Sequence, residues 1–422
     1  MSEDSLLSDD LLRQLIAVGE VDVLVGLPTL NHADTVDIVA KAVHHVFSNH
    51  LARERTVLIN CDGGSTDGTP DVVRNAAVAE AESLVESQSL RTRHRISTPY
   101  HGVPGKVAAI RTIFASADLL QARAVVVLDP EIVSVTPESI AALLRPIRSD
   151  GMDYVSPVYE RHPLDGPLIT QVIRPLFRSA YGLRLREPLA GEFACSGRFA
   201  VDLLESPAWK SDDLRVAIDL WLSGMAASRD FSVAEVQLGP RRLAQRSRPG
   251  VSALVPEILD ALFTCLRLHE AEWTKRSEFA SVPLYEKTDG FRSPPPPSID
   301  AHSYDSVFHE GMASLGTMLQ PALRPETFAA LQAAASGDKI SISDELWASA
   351  LCELAAAHRL AAQSRSHLLS AAVPLYLGRV SGFMADAAGA ALEFVEERLE
   401  ALCLHFERFK PELVSLWTAS TR

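Results

Sequence analysis

The residues Asp62-Gly63-Gly64-Ser65-Thr66-Asp67-Gly68-Thr69 directly follow the apolar run Thr56-Val57-Leu58-Ile59-Asn60-Cys61. They therefore sit at the carboxyl end of a buried strand, the rim at which open α/β sheets bind ligands. Glycines there let the backbone come close to a ligand, while short carboxylates and hydroxyls offer partners to a ribose, a base edge or a metal ion. A second junction of the same kind stands close by. Val21-Asp22-Val23-Leu24-Val25-Gly26-Leu27 runs into Pro28-Thr29-Leu30-Asn31-His32-Ala33-Asp34-Thr35 and then into a helical pattern. The pair points to a nucleotide site.

Three further groups could act on phosphates. Asp129-Pro130-Glu131 follows the strand-like run Ala124-Val125-Val126-Val127-Leu128. In an extended segment residues i and i+2 face the same side, so both carboxylates could meet one hard divalent cation such as Mg²⁺ or Mn²⁺. The same triplet also reads as a helix start, with proline in the first turn and acids at the positive end of the dipole. Pro104-Gly105-Lys106 precedes a helix expected from about Val107. There it offers backbone N–H groups and an ammonium to a phosphate, or it is a loop with a solvated lysine. Arg241, Arg242, Arg246 and Arg248 crowd into one short stretch of an acidic chain, as an anion site or as a solvated basic loop.

The elements that must position these groups follow an alternating rhythm. From Val21 to about Ser149 strands and helices alternate, with further strands around Arg93 to Ser97 and Asp153 to Val158, as in a parallel sheet. Residues 1–20 predict an amphipathic helix. Residues 288–304, with Pro294-Pro295-Pro296-Pro297, predict an extended linker between an α/β domain over 21–287 and a helical bundle over 305–422. Ser343 to Arg359 and Ala385 to Phe409 carry the clearest helical periodicity of that tail.

Composition narrows the function. The chain has 422 residues, 47% hydrophobic and 22% charged, with a formal net charge of -14. That balance fits a globular protein and opposes binding to nucleic acid or an anionic membrane. No run approaches the roughly 20 apolar residues of a membrane span, and the acidic amino terminus is unlike a signal peptide, so a cytoplasmic protein is expected. The scattered Cys61, Cys195, Cys265, Cys352 and Cys403 predict buried thiols rather than a disulfide framework or a zinc site.

Together the Pro-Thr-x-Asn and Asp-Gly-Gly-Ser-x-Asp-Gly-Thr loops resemble the nucleotide-binding half of GT-A glycosyltransferases. Pro104-Gly105-Lys106 is similar to a nucleotide-contacting segment of the glucosylglycerate and glucosyl-3-phosphoglycerate synthases, which are retaining GT-A enzymes. The similarity continues through Val158 to His162 with Asp165-Gly166, Tyr181-Gly182, Arg186 to Phe193 and Ala217 to Trp221, and more weakly at Pro374 to Arg379. It implies an α/β fold: a GT-A (Rossmann-like, mostly parallel sheet) catalytic domain with a C-terminal α-helical domain.

The resemblance also implies roles. Pro28, Thr29, Asn31, Asp34, Asp62, Gly63, Gly64 and Ser65 would hold the nucleoside of a nucleoside diphosphate sugar, and Gly105 and Lys106 its phosphates. Asp129 and Glu131 would bind Mg²⁺ or Mn²⁺. Glu192 would line the sugar and acceptor pocket, with Asp219 near the acceptor. A glucosyl-type group would pass with retention to a small hydroxy acid, the leaving diphosphate taking the acceptor's proton. A homodimer is implied by analogy only.

Two departures qualify this. The family completes its metal site with a histidine soon after a Leu-Gly pair, whereas Leu238-Gly239 is followed by Pro240-Arg241-Arg242-Leu243, with Leu243 at the ligand's place. Arg241 or Arg242 is then expected to neutralise part of the diphosphate. Phosphoglycerate-using relatives carry an arginine and a threonine where this chain has Pro167 and Ile169, which favours D-glycerate or another small hydroxylated acceptor. The alternative is a catalytically degenerate sugar-nucleotide-binding or scaffold protein with an eroded metal site. A nucleotidyltransferase is disfavoured, because its glycine- and arginine-rich loop after the first strand is missing.

Overall fold

Strands β1 (Val23–Thr29), β2 (Thr56–Asp62) and β4 (Ala124–Val127) are buried along their whole length, which is why they read as continuous apolar runs. The computed structural model describes residues 6–76, 93–99, 105–211, 214–244, 250–285, 301–337, 339–361 and 364–419. With β3 (Arg93–Pro99), β5 (Tyr154–Glu160), β6 (Leu183–Arg184), β7 (Phe193–Ser196), β8 (Val233–Pro240), β9 (Ala280–Ser281) and β10 (Leu284–Tyr285), they form one eight-stranded sheet in the order β10-β8-β5-β7-β4-β1-β2-β3 and a small β6-β9 pair. Among the described strands of this sheet only β7 runs antiparallel to its neighbours, β4 and β5. The expected mostly parallel α/β sheet is therefore present.

Alternation of side chains builds a core on each face. Leu24, Val57, Ile59, Val125 and Val127 pack on one side, against the helices Lys106–Leu119, Gly197–Leu204, Leu214–Ser228 and Val251–Leu268. Val23, Val25, Leu58, Ala124 and Val126 pack on the other, against Val36–His45 and Pro137–Asp150. The latter helix is fixed at its start by Thr136 and Ser139 in a reciprocal capping box and ends at Gly151 with φ 67°. The sheet is thus sandwiched between helical layers.

The C-terminal helical region is also present, in helices Ala301–Leu319, Pro325–Ser336, Asp344–Leu360, Arg365–Ala387, Leu392–Arg408 and Lys410–Ala419. The expected run Ala385 to Phe409 is divided between two helices, because Gly389 adopts φ 71° and turns the chain there. The proline run lies outside the described residues, and the helix after it already begins at Ala301. Against the sequence expectation, Arg365–Ala387 is long and apolar enough to cross a membrane, but 89% of its apolar window is buried inside the protein. It is a core helix. All five cysteines are buried.

Polar contacts tie this region to the sheet's helices. Trp347 Nε1 donates to Gln171 O at 2.7 Å, and Arg379 Nε donates to Gln171 Oε1 at 2.9 Å. The Glu407 carboxylate accepts from Arg178 Nη2 at 2.7 Å and from Arg184 Nη2 at 3.0 Å. Both Arg178 and Glu407 are buried, so truncating one leaves the other's charge poorly matched. Glu407→Ala should cost about 3 kcal/mol, read as a lower urea midpoint with an unchanged slope. A change within error of zero would show that Glu400 alone satisfies Arg178.

Candidate functional site

The two junction loops hold each other. Thr29 Oγ1, at the end of β1, lies 2.8 Å from Asn60 Oδ1 and 3.0 Å from Asp62 Oδ1. Gly63 N donates to Thr29 O at 2.7 Å. Asp62 Oδ2 accepts from the backbone of Gly64 and Ser65 at 3.0 and 2.8 Å, and Ser65 Oγ donates to Asp62 Oδ1 at 2.6 Å. Asn31, at φ 55°, donates its backbone N–H to Ser65 Oγ at 2.7 Å and accepts from Thr66 N at 2.9 Å. Thr29, Asn31, Asp62, Gly63, Gly64 and Ser65 are therefore stitched together at the carboxyl ends of β1 and β2, with Pro28 beside Cys61 in the ladder; Pro28, Thr29 and Asp62 are buried, while Asp34 is exposed.

The charged residues gather a short way along the same rim, and the reversed strand explains how. Because β7 is antiparallel, the residues before Phe193 arrive where β4, β5 and β8 deliver their carboxyl ends. Gly191 and Glu192 thus meet Asp129, Tyr159 and Arg241. Segment 241–244 is drawn alongside 131–134 by Val133 N to Arg242 O and Ala244 N to Glu131 O, both 2.9 Å. Arg241 Nη2 then donates to Glu192 Oε2 at 3.0 Å and to Asp129 Oδ2 at 3.3 Å, and its guanidinium stacks over the Tyr159 ring at 5.4 Å.

On the other side of Gly191 stands a second cation. The expected helix begins at Lys106, and the lysine is bound rather than solvated: its Nζ donates to Asp219 Oδ1 at 2.6 Å and to Gly191 O at 3.0 Å. Gly191 has φ 89°, and a Cβ there would come within 2.9 Å of Arg241 Nη2. Sequence reasoning leaves out Gly191 and Tyr159 as site residues. The motif Pro-Leu-Ala-Gly-Glu-Phe carried a signal for the first; the stacking of Tyr159 on a distant arginine had none.

Burial pushes the Glu192 carboxyl up to about 7, with Arg241 pulling the other way and Asp129 adding to the rise. Burial works against the charge on Arg241, but Glu192 and Asp129 outweigh it and hold the guanidinium above its ordinary value. Glu192 Oε1 and Arg241 Nε are buried without a hydrogen-bond partner among the described residues. Both groups keep capacity for a ligand.

The carboxylates expected to share a cation are arranged differently. Residues 129–131 turn rather than extend, with Glu131 N donating to Asp129 Oδ1 at 2.9 Å, and the next helix begins only at Pro137. Glu131 Oε1 faces His32 Nε2 at 3.6 Å, and His32 Nδ1 accepts from Leu30 N. Leu243 packs against the apolar core beside Ile132. Among the described residues no three His, Cys, Asp or Glu side chains group as metal ligands. Asp129 meets a guanidinium instead, so this arrangement does not fit a divalent cation. Arg242 is not bonded to these acids as Arg241 is: its backbone N–H donates to Ser134 Oγ at 2.9 Å, and it lines, together with Tyr159 and Glu192, a cavity of about 290 Å³. Arg246 and Arg248 lie outside the described residues.

No family model and no curated protein matches the chain. Among solved structures, it is 22% identical to glucosyl-3-phosphoglycerate synthase from Mycobacterium tuberculosis in complex with Mn²⁺, uridine diphosphate and phosphoglyceric acid, covering 61% of this chain and 82% of that one at a TM-score of 0.43. The same enzyme with Mg²⁺ and uridine diphosphate gives 21%, 61% and 83% at 0.43. With Mn²⁺, uridine-diphosphate-glucose and glycerol 3-phosphate it gives 21%, 62% and 84% at 0.42.

Glu192 supplies a test of the cluster's electrostatics. With its folded value raised above the ordinary 4.5, it contributes stability that is complete below that pH and is lost as pH rises through about 7. Glu192→Gln removes the titration. The melting temperature of the wild type relative to this variant should therefore fall between about pH 5 and about pH 8. A difference independent of pH would mean that Glu192 is ionised throughout.

Proposed function

We propose that the chain is a glycosyltransferase that moves a sugar from a nucleoside diphosphate sugar to a small hydroxylated acceptor. The observation that carries this reading is the junction of two stitched strand-end loops with a pair of fixed cations, Lys106 and Arg241, on either side of Gly191. Asn31, Asp62 and Ser65 offer polar atoms to a base and ribose, and the cations lie further along the same rim, where a diphosphate would extend.

In the transfer, the bond from the anomeric carbon to the diphosphate oxygen breaks and a bond to the acceptor oxygen forms on the same face. The acceptor's proton passes to the departing diphosphate. Lys106 and Arg241 offset the charge that grows there, which in a preorganised site lowers the barrier. Asp219, held by Lys106, would accept hydrogen bonds from sugar or acceptor hydroxyls, and the buried Glu192 would hold Arg241 in position.

A phosphate-free hydroxy acid such as D-glycerate suits the acceptor side. Pro167 and Ile169 offer no side-chain donor after Gly166, and Arg161 is already paired with Glu187 at 2.9 Å. The rival reading, a sugar-nucleotide-binding protein without turnover, makes the opposite prediction for one assay.

With UDP-, GDP- and ADP-glucose as donors and D-glycerate as acceptor, one donor should be consumed and a glucosylated acid formed. Lys106→Ala should lower kcat about a hundredfold. Donor binding without transfer to glycerate, 3-phosphoglycerate or water, at any divalent metal, would favour the binding protein. No binding of any donor would remove the nucleotide-sugar reading altogether.

A further inference from the structure

The geometry points to Arg241 as a built-in replacement for the divalent cation: the donor's diphosphate is neutralised by the Arg241 guanidinium together with Lys106, and its binding needs no metal. This rests on the glycosyltransferase reading above and assigns the charge chemistry of that site.

Four observations carry it. Arg241 is bonded at 3.3 Å to Asp129, a carboxylate expected from the sequence to ligate a metal. Its position is built rather than incidental, with Glu192 at 3.0 Å on one edge and the Tyr159 ring against its face. Glycine at 191, at φ 89°, leaves it this position undisturbed, since a Cβ there would stand 2.9 Å from Nη2 and 3.4 Å from Asp129 Oδ2. Finally, its Nε is buried and unpartnered among the described residues, so the fork of donors is not exhausted by the two acids.

Chemistry favours the exchange. A guanidinium stays protonated, matches phosphate oxygens with paired donors and loses less hydration on burial than an ammonium. Two carboxylates that fix the guanidinium also share its charge, so an incoming diphosphate strengthens its hold by taking the free donors while Lys106 meets it from the other side of Gly191. A divalent cation at Asp129 would instead stand against Arg241 and be repelled. The basic residue and the metal are alternatives.

The test is calorimetric titration of the full chain with UDP, GDP and ADP, in buffer with EDTA and again with millimolar Mn²⁺. The expected result is that one nucleotide binds with dissociation constants in the two buffers agreeing within about threefold, and that Arg241→Gln weakens binding in EDTA by at least about tenfold. Arg241→Lys, which keeps one charge but loses the fork, should fall between. Binding that appears only with Mn²⁺, or an Arg241→Gln protein that binds as the wild type does in EDTA, overturns the inference and leaves the function standing. Failure of every nucleotide in both buffers overturns the function and the inference with it. Should Arg241→Gln lose its circular dichroism signature, the two wild-type titrations still decide the question.

Discussion

Three acids, Asp129, Glu192 and Asp219, are brought to one partly enclosed rim, and their mutual repulsion has to be answered by cations that cannot drift away. Arg241 and Lys106 answer it from either side of Gly191. A buried carboxylate without such a partner would protonate or unfold its surroundings. Glu192, pushed up to about 7 even with Arg241 in place, shows how close that balance runs. The glycine's positive φ, the stacked tyrosine and the reversed strand all serve to keep the two cations where the acids need them.

The scaffold meets this demand with rigid parts. Side-chain geometry held on strand ends is set by the sheet's hydrogen bonds, and here the ends of β4, β5, β7 and β8 deliver Asp129, Tyr159, Glu192 and Arg241. A register shift between Tyr159 and Glu160 in the β5–β8 pair falls beside the stacked ring, as such irregularities do when they redirect a side chain. Below the sheet, Gln171, Arg178 and Lys410 bind the C-terminal helices to the helix layer, with Lys410 Nζ donating to Ala180 O and Trp273 O. The helical region therefore braces the layer on which the rim stands.

A site whose positive charge is covalently part of the chain differs from a metal site in one physical respect. Its charge is present at all cation concentrations, but it is spread over a planar group and shared with the acids that hold it. Neutralisation per contact is weaker and directional, so for the diphosphate proposed as its ligand orientation would matter more than mere proximity.

The sequence by itself determined strands β1 to β5, most clearly where the apolar run is continuous, whereas β7 and β8, which deliver Glu192 and Arg241, were legible only in the tertiary structure. The sequence located the two strand-end loops as well, because the residues of each are contiguous in the chain. It also placed Lys106 at a helix start and flagged an arginine beside a missing histidine. It could not choose between Arg241 and Arg242, nor reveal that Glu131 faces His32 while Glu192 faces Arg241. Those pairings join residues far apart in the chain: Glu131 meets His32 because β1 and β4 are parallel neighbours, and Glu192 meets Arg241 because β7, antiparallel to both its neighbours, carries Gly191 and Glu192 to the rim they reach from the other end. Local patterns fix what each segment can become; only strand order and direction decide which charges meet.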